Sequence, residues 1–103
     1  MATFQVKPEK LKHTAEVLKA LAHPVRLCLV VGLVRCGGCA VREIQDCLAL
    51  PQATVSQHLA KLRAAGLVTA RRQGKEVHYE VSSPLARRIA ELVWESTEKA
   101  EKG

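Results

Sequence analysis

VREIQDCLALPQATVSQHLAKLRAAGLVTARRQGKEVHYEVS, residues 41–82, holds the pattern that decides the fold. Val41, Ile44, Cys47 and Leu48 recur at helical spacing and predict a short helix, ended by the Leu50-Pro51 break. Pro51 suits the start of a following helix with one apolar stripe, Val55, Leu59 and Leu62. That helix runs to about Ala65 and stops at Gly66, just past its last turn. Gln52, Thr54, Ser56, Gln57, His58 and Lys61 are left on its other faces. The period then changes. LVTARRQ and EVHYEVS are β-type runs divided by Gly74-Lys75, which predicts a hairpin. Two short helices, the second polar on one face, with a hairpin behind them predict a winged helix-turn-helix.

Upstream, Leu11, Ala15, Leu18, Leu21 and Ala22 predict a first helix from about Pro8 to Ala22, broken by His23-Pro24. Val25 to about Arg35, VRLCLVVGLVR, is apolar nearly all round and reads as the central core helix, ended by Gly37-Gly38. Downstream, Ser83-Pro84 opens a last helix with Leu85, Ile89, Leu92 and Val93 apolar, which frays into ESTEKAEKG. No repeat or flexible linker interrupts the chain. Residues 1–103 are therefore expected to form one domain, mainly α with a small β-hairpin, in the order α-α-α-α-β-β-α. With one Phe, one Trp and one Tyr, its core must be aliphatic.

The formal charge is +6, a weak pointer to an acidic partner until its distribution is considered. No acid lies between Asp46 and Glu76, whereas Lys61, Arg63, Arg71, Arg72 and Lys75 all do. From Pro84 onward, basic and acidic residues balance. One segment carries the positive field, and it is the helix-turn-helix with its wing. No apolar run approaches the roughly 20 residues of a membrane span. The opening MATFQVKPEKLKH lacks the apolar stretch of a secretory signal. No membrane partner is expected, and a cytoplasmic location follows by default, with the four cysteines reduced.

The polar face of the second helix carries groups that reach base edges in a major groove: Gln52, Thr54, Ser56, Gln57, His58 and Lys61. Solvated residues on an ordinary surface helix are the plainer account, but such helices mix both signs and this face has no acid. Arg71, Arg72 and Lys75, around the turn of the hairpin, suit phosphates or the minor groove; solubility alone is the alternative. His78 and Tyr79 read as structural, packing the wing on the core. Asp46, Ser56 and His58 are the residue types of a hydrolase triad, yet no nucleophile elbow or oxyanion hole accompanies them. No catalytic residue and no enzyme are expected.

LKALAHPVRLCLVVGLV, REIQDCLALPQATVSQHLAKLRAAGLV and RRQGKEVHYEVS resemble the ArsR/SmtB (arsenic-repressor) family of winged-helix transcriptional regulators over about Leu18 to Ser82. The resemblance implies a repressor that homodimerises through its first and last helices, 8–22 and 84–100. It also implies binding to an imperfect palindromic operator in double-stranded DNA, and release by an effector. The family's metal sites do not carry over. Sites on the last helix use histidine, and no His follows His78; CVC-like arsenic sites fall on Ala40-Val41-Arg42, with Cys39 just before them.

Cys28, Cys36, Cys39 and Cys47 remain as candidate metal- or redox-sensing residues. The Cys36-Gly-Gly-Cys39 spacing suits a metal, a metalloid such as arsenite, or a disulfide. Arg35, Arg42 and the adjacent helix start are expected to favour the Cys39 thiolate. Cys28 and Cys47, within core helices, read more simply as small hydrophobes. Antiparallel packing of the two helices would separate the pairs by about 12 Å, too far for one tetrathiolate zinc site. Two further functions stay open. A non-specific architectural DNA-binding protein needs the basic patch but not the neutral hydrogen-bonding face. A thiol oxidoreductase or metal carrier would use Cys36 and Cys39, though the βαβ context common to such proteins is missing.

Overall fold

A computed structural model of the chain describes residues 7–102, the side chains of Cys47 and of residues 99–102 excepted. The elements run α1 (Pro8–Leu21), α2 (Pro24–Cys36), β1 (Cys39–Ala40), α3 (Val41–Leu48), α4 (Gln52–Ala64), β2 (Val68–Gln73), β3 (Glu76–Val81) and α5 (Pro84–Lys102). Local chemistry sets most of these boundaries. His23 Nδ1 accepts a hydrogen bond from the Val25 N–H (3.1 Å) and caps α2, while Ser83 Oγ does the same for α5 through the Ala86 N–H (3.1 Å). At α3 the first turn folds back instead, with Glu43 Oε1 accepting from the Ala40 N–H (3.1 Å). Gly37, at φ 74°, ends α2 in the left-handed conformation that glycine adopts without a steric penalty. Ala49 ends α3 the same way at φ 54°, and it is the one residue other than glycine with positive φ among those described.

The winged helix-turn-helix expected from the sequence is present, with one addition. The sheet has three antiparallel strands in the order β1-β3-β2. β1 is two residues long, with Cys39 opposite Tyr79 and Ala40 opposite His78. Too short to show a period, it is invisible in the sequence, yet it ties the start of α3 to the wing. In the hairpin Val68 faces Val81, Arg71 faces His78, Arg72 faces Val77 and Gln73 faces Glu76.

The core is aliphatic. Val17 and Leu21 of α1, Leu29, Val30 and Leu33 of α2, Val55, Leu59 and Leu62 of α4, and Leu67, Val68 and Val81 meet Ala86 and Ala90 of α5. Full burial stabilises the larger of these by about 1.5–3 kcal/mol each. Small Ala86 and Ala90 let α5 lie close against α2, whereas Leu92 is 64% exposed. α2, expected as the central core helix, is not buried on every side. Cys28 is exposed rather than filling the core, and it lines an open apolar groove with Leu27, Val31, Val93 and Trp94. Among the described residues, no single helix is long and apolar enough to cross a membrane.

Candidate nucleic-acid interface

With Val55, Leu59 and Leu62 buried, the helical period of about 3.6 residues sets every other side chain of α4. Gln57 stands on the crest, opposite the buried stripe, between the short side chains of Ala53 and Ala60; all three are exposed. Gln52 and Ser56 occupy one flank, also exposed, and line a cleft of about 420 Å³ toward α3 and the wing. Thr54 and His58 occupy the other flank and are half-buried, with Lys61 exposed beyond them.

His58 departs from the expectation. Its ring lies 4.5 Å from that of His23, centroid to centroid, and its buried Nδ1 has no hydrogen-bond partner among the described residues. Desolvation first, then the nearby His23, Arg26 and Lys61, hold its pKa below the ordinary 6.5. His58 joins the recognition helix to the α1–α2 junction, and a neutral ring suits that seam. It stands apart from the exposed polar face of α4 that carries Gln52, Ser56 and Gln57.

Strand alternation divides the three basic residues of the wing. Arg72 shares the inner face of the sheet with Val68, Val77 and Val81; it is exposed and sits opposite Val77, which lines the cleft together with Lys75. Arg71 stands on the outer face with Thr69, His78 and Glu80. Tyr79 packs against the core as expected, whereas His78 is half-buried and lies 3.8 Å from the Glu76 carboxylate.

Two further residues line the cleft, Arg42 and Gln45 of α3. The Arg42 guanidinium pairs with the Glu76 carboxylate across the mouth. In its sequence α3 shows an inner apolar face, Val41, Ile44, Cys47 and Leu48. Its signal for an outer one was the i, i+3 pairing of Arg42 with Gln45, with Glu43 and Asp46 turned elsewhere.

Cys36 and Cys39 are joined by a disulfide, where reduced thiols were expected. The turn between them runs through Gly37 and Gly38, both at positive φ, and Cys39 is buried while Cys36 is exposed. The arginines expected to activate Cys39 are engaged elsewhere: Arg35 lies 4.4 Å over the Trp94 ring and Arg42 pairs with Glu76. A Cβ at Gly38 would come within 3.3 Å of Glu80 Cβ and 3.4 Å of the Tyr79 carbonyl, so the turn sits directly on the wing strand. The Cys47 side chain lies outside the described residues. Among those described, no three His, Cys, Asp or Glu side chains converge as a metal site would require.

Comparison with known proteins gives concordant matches. A family model described as a helix-turn-helix domain matches residues 21–71. The HTH-type transcriptional repressor SmtB of Mycobacterium tuberculosis is 46% identical over 82 residues, 78% of this chain. The match spans only 60% of that relative's own length. The transcriptional repressor PagR of Bacillus anthracis is 41% identical over 83 residues, covering 81% of this chain and 83% of PagR. Its crystal structure superposes with a TM-score of 0.77 at 39% identity, over 84% of this chain and 99% of that one. A homodimeric winged helix-turn-helix DNA-binding domain from Mycobacterium bovis superposes with a TM-score of 0.75 at 29% identity, over 97% and 94% of the two chains.

Proposed function

Because the chain belongs to the ArsR/SmtB family of winged helix-turn-helix transcriptional regulators, we propose that it is a cytoplasmic homodimer that represses transcription by binding a specific DNA operator. The observation that carries this reading is the exposed face of α4. Gln52, Ser56 and Gln57 offer neutral hydrogen-bonding groups with no acid among them, beside a cleft lined by Arg42 and Lys75. Gln bidentate to adenine and Ser to several base edges are the pairings such a face makes in a major groove. Thr54, half-buried, borders this face; Lys61 and the wing cations Arg71, Arg72 and Lys75 suit phosphates.

Leu11 and Leu18 of α1, each 49% exposed, and Leu92 of α5 leave an apolar surface that supports dimerisation through residues 8–22 and 84–100. A two-fold dimer would present its α4 helices to half-sites about 34–36 Å apart. A dimeric relative favours the same assembly.

For the effector, the Cys36–Cys39 disulfide favours a thiol-redox signal over arsenite or another thiophilic ion. Two sulfurs without a third ligand among the described residues make a poor metalloid or zinc site. Oxidation takes two electrons and two protons from the thiol pair; hydrogen peroxide that accepts them leaves as two waters, and an organic hydroperoxide as an alcohol and a water. The turn abuts β3 and leads into α3, so closing the bond alters how the wing and α4 are held. A tenfold loss of operator affinity requires only about 1.4 kcal/mol between the two states.

Selection of the reduced protein against a random-sequence duplex pool tests the reading. An enriched, two-fold-related sequence supports it. Binding without enrichment points to the architectural alternative instead. Peroxide should then release the wild type from the selected duplex, a reductant should restore binding, and a Cys36→Ser, Cys39→Ser double mutant should ignore both.

A further inference from the structure

The cleft between helix-turn-helix and wing has an unusual charge arrangement at its mouth. Glu76 is the one acid between Asp46 and Glu80, a stretch otherwise basic or neutral, and the fold sets it on the lip of the cleft. There its carboxylate pairs with Arg42, 34 residues away in sequence, and lies 3.8 Å from His78 Nε2. The Arg42 side chain remains 77% exposed and that of Glu76 40%, so neither is committed to the interior. Exposed pairs of this kind are worth little because water and salt screen them, and they exchange partners readily.

Position gives the pair its meaning. Arg42 stands on the second residue of α3, and the helix start is fixed by β1, whose Ala40 pairs with His78 of the wing. Arg42 therefore faces the cleft from one wall while Lys75 faces it from the other, with Gln52 and Ser56 between. A DNA strand following α4 would run between those walls. The guanidinium makes a single contact to the carboxylate here, and in that position it can take phosphate oxygens in bidentate geometry.

We infer that Arg42 is a phosphate-binding residue of the DNA interface and that Glu76 competes with DNA for it. The inference rests on the DNA-binding reading above. In the free protein the carboxylate neutralises Arg42. On binding, Arg42 exchanges the Glu76 carboxylate for a phosphate, and Glu76, left beside the strand, keeps the wing from gripping DNA too strongly. His78 and Lys75 flank the carboxylate in that state.

The test is a double-mutant cycle on the full chain, read by affinity and salt dependence for the selected duplex and for a shuffled duplex of the same composition. Arg42→Ala should weaken both duplexes about equally and reduce the slope of log affinity against log salt by about 0.9, the loss of one phosphate contact. Glu76→Gln should raise affinity for both by about two- to fivefold. In the Arg42→Ala background, that gain should shrink to less than half. If Arg42→Ala leaves the slope unchanged, Arg42 does not contact phosphate and the inference fails. An undiminished gain from Glu76→Gln in the Arg42→Ala protein means general repulsion and removes the exchange. A wild type that binds neither duplex overturns the DNA-binding reading itself, and this inference with it.

Discussion

The surface built by α3, α4 and the wing differs in kind from the one built by α1 and α5. The first is polar and concave, with Gln57 on its crest, Arg42 and Lys75 in its cleft, and Glu76 as the one acid lining that cleft among the described residues. The second is apolar and unpartnered, carrying Leu11, Leu18 and Leu92 among balanced charges on α5. On the function proposed above, one takes an anionic partner and the other a second apolar face. A small domain with a modest aliphatic core gains stability from the second and acts through the first.

The largest expected effect comes from the apolar side. Leu92→Glu places a charge on a residue 64% exposed in the monomer, so the fold should tolerate it. An unpaired carboxylate in a dimer interface costs several kcal/mol. Sedimentation should show monomers at micromolar concentration, and operator affinity should fall at least a hundredfold; an intact dimer would move the interface elsewhere. Ile89, half-buried against the core, would mix the two effects.

On the polar side, Gln57→Ala should cost about 1–3 kcal/mol at one base pair of each half-site and relax the preference there. Arg72→Ala should weaken all sequences alike and flatten the salt dependence by about 0.9 in slope. Equal effects of both changes on selected and shuffled DNA would mean that α4 does not read sequence.

A smaller effect lies in the turn joining the two helices of that side. Ala49 sits at φ 54°, where its Cβ is crowded. Ala49→Gly relieves the strain at some entropic cost in the unfolded chain, and should stabilise the protein by about 0.5–1 kcal/mol in denaturant melts.

The smallest effect lies at the seam between the two surfaces. The folded state holds His58 neutral below its ordinary pKa of 6.5, so between the folded and unfolded values the unfolded chain binds more protons. Stability should therefore be fully present above about pH 6.5 and decline as pH falls through the folded pKa. His58→Gln should remove that part of the slope in melts at several pH values.

These two surfaces were unequally legible in the sequence. Period and punctuation give α3 as Val41–Leu48, since four apolar residues and two breaks leave little choice. They also give the crest of α4, because three buried residues fix its phase. Tertiary contact decides what they miss. β1 exists only through its pairing with β3, His58 faces inward because His23 is there, and Cys28 is exposed because α5 leaves a groove beside α2. Arg42 joined the cleft only once the wing was placed against α3.

The strand order β1-β3-β2 protects one side of the wing and leaves β2 as the edge strand on the other. An unpaired edge can template pairing between copies, the first step toward insoluble aggregates. β2 carries Arg71 on its outer face and Arg72 on its inner face. Two such edges pairing antiparallel would crowd four guanidinium groups into one small sheet. Arg71, turned away from the cleft, would therefore disfavour the addition of one wing to the next.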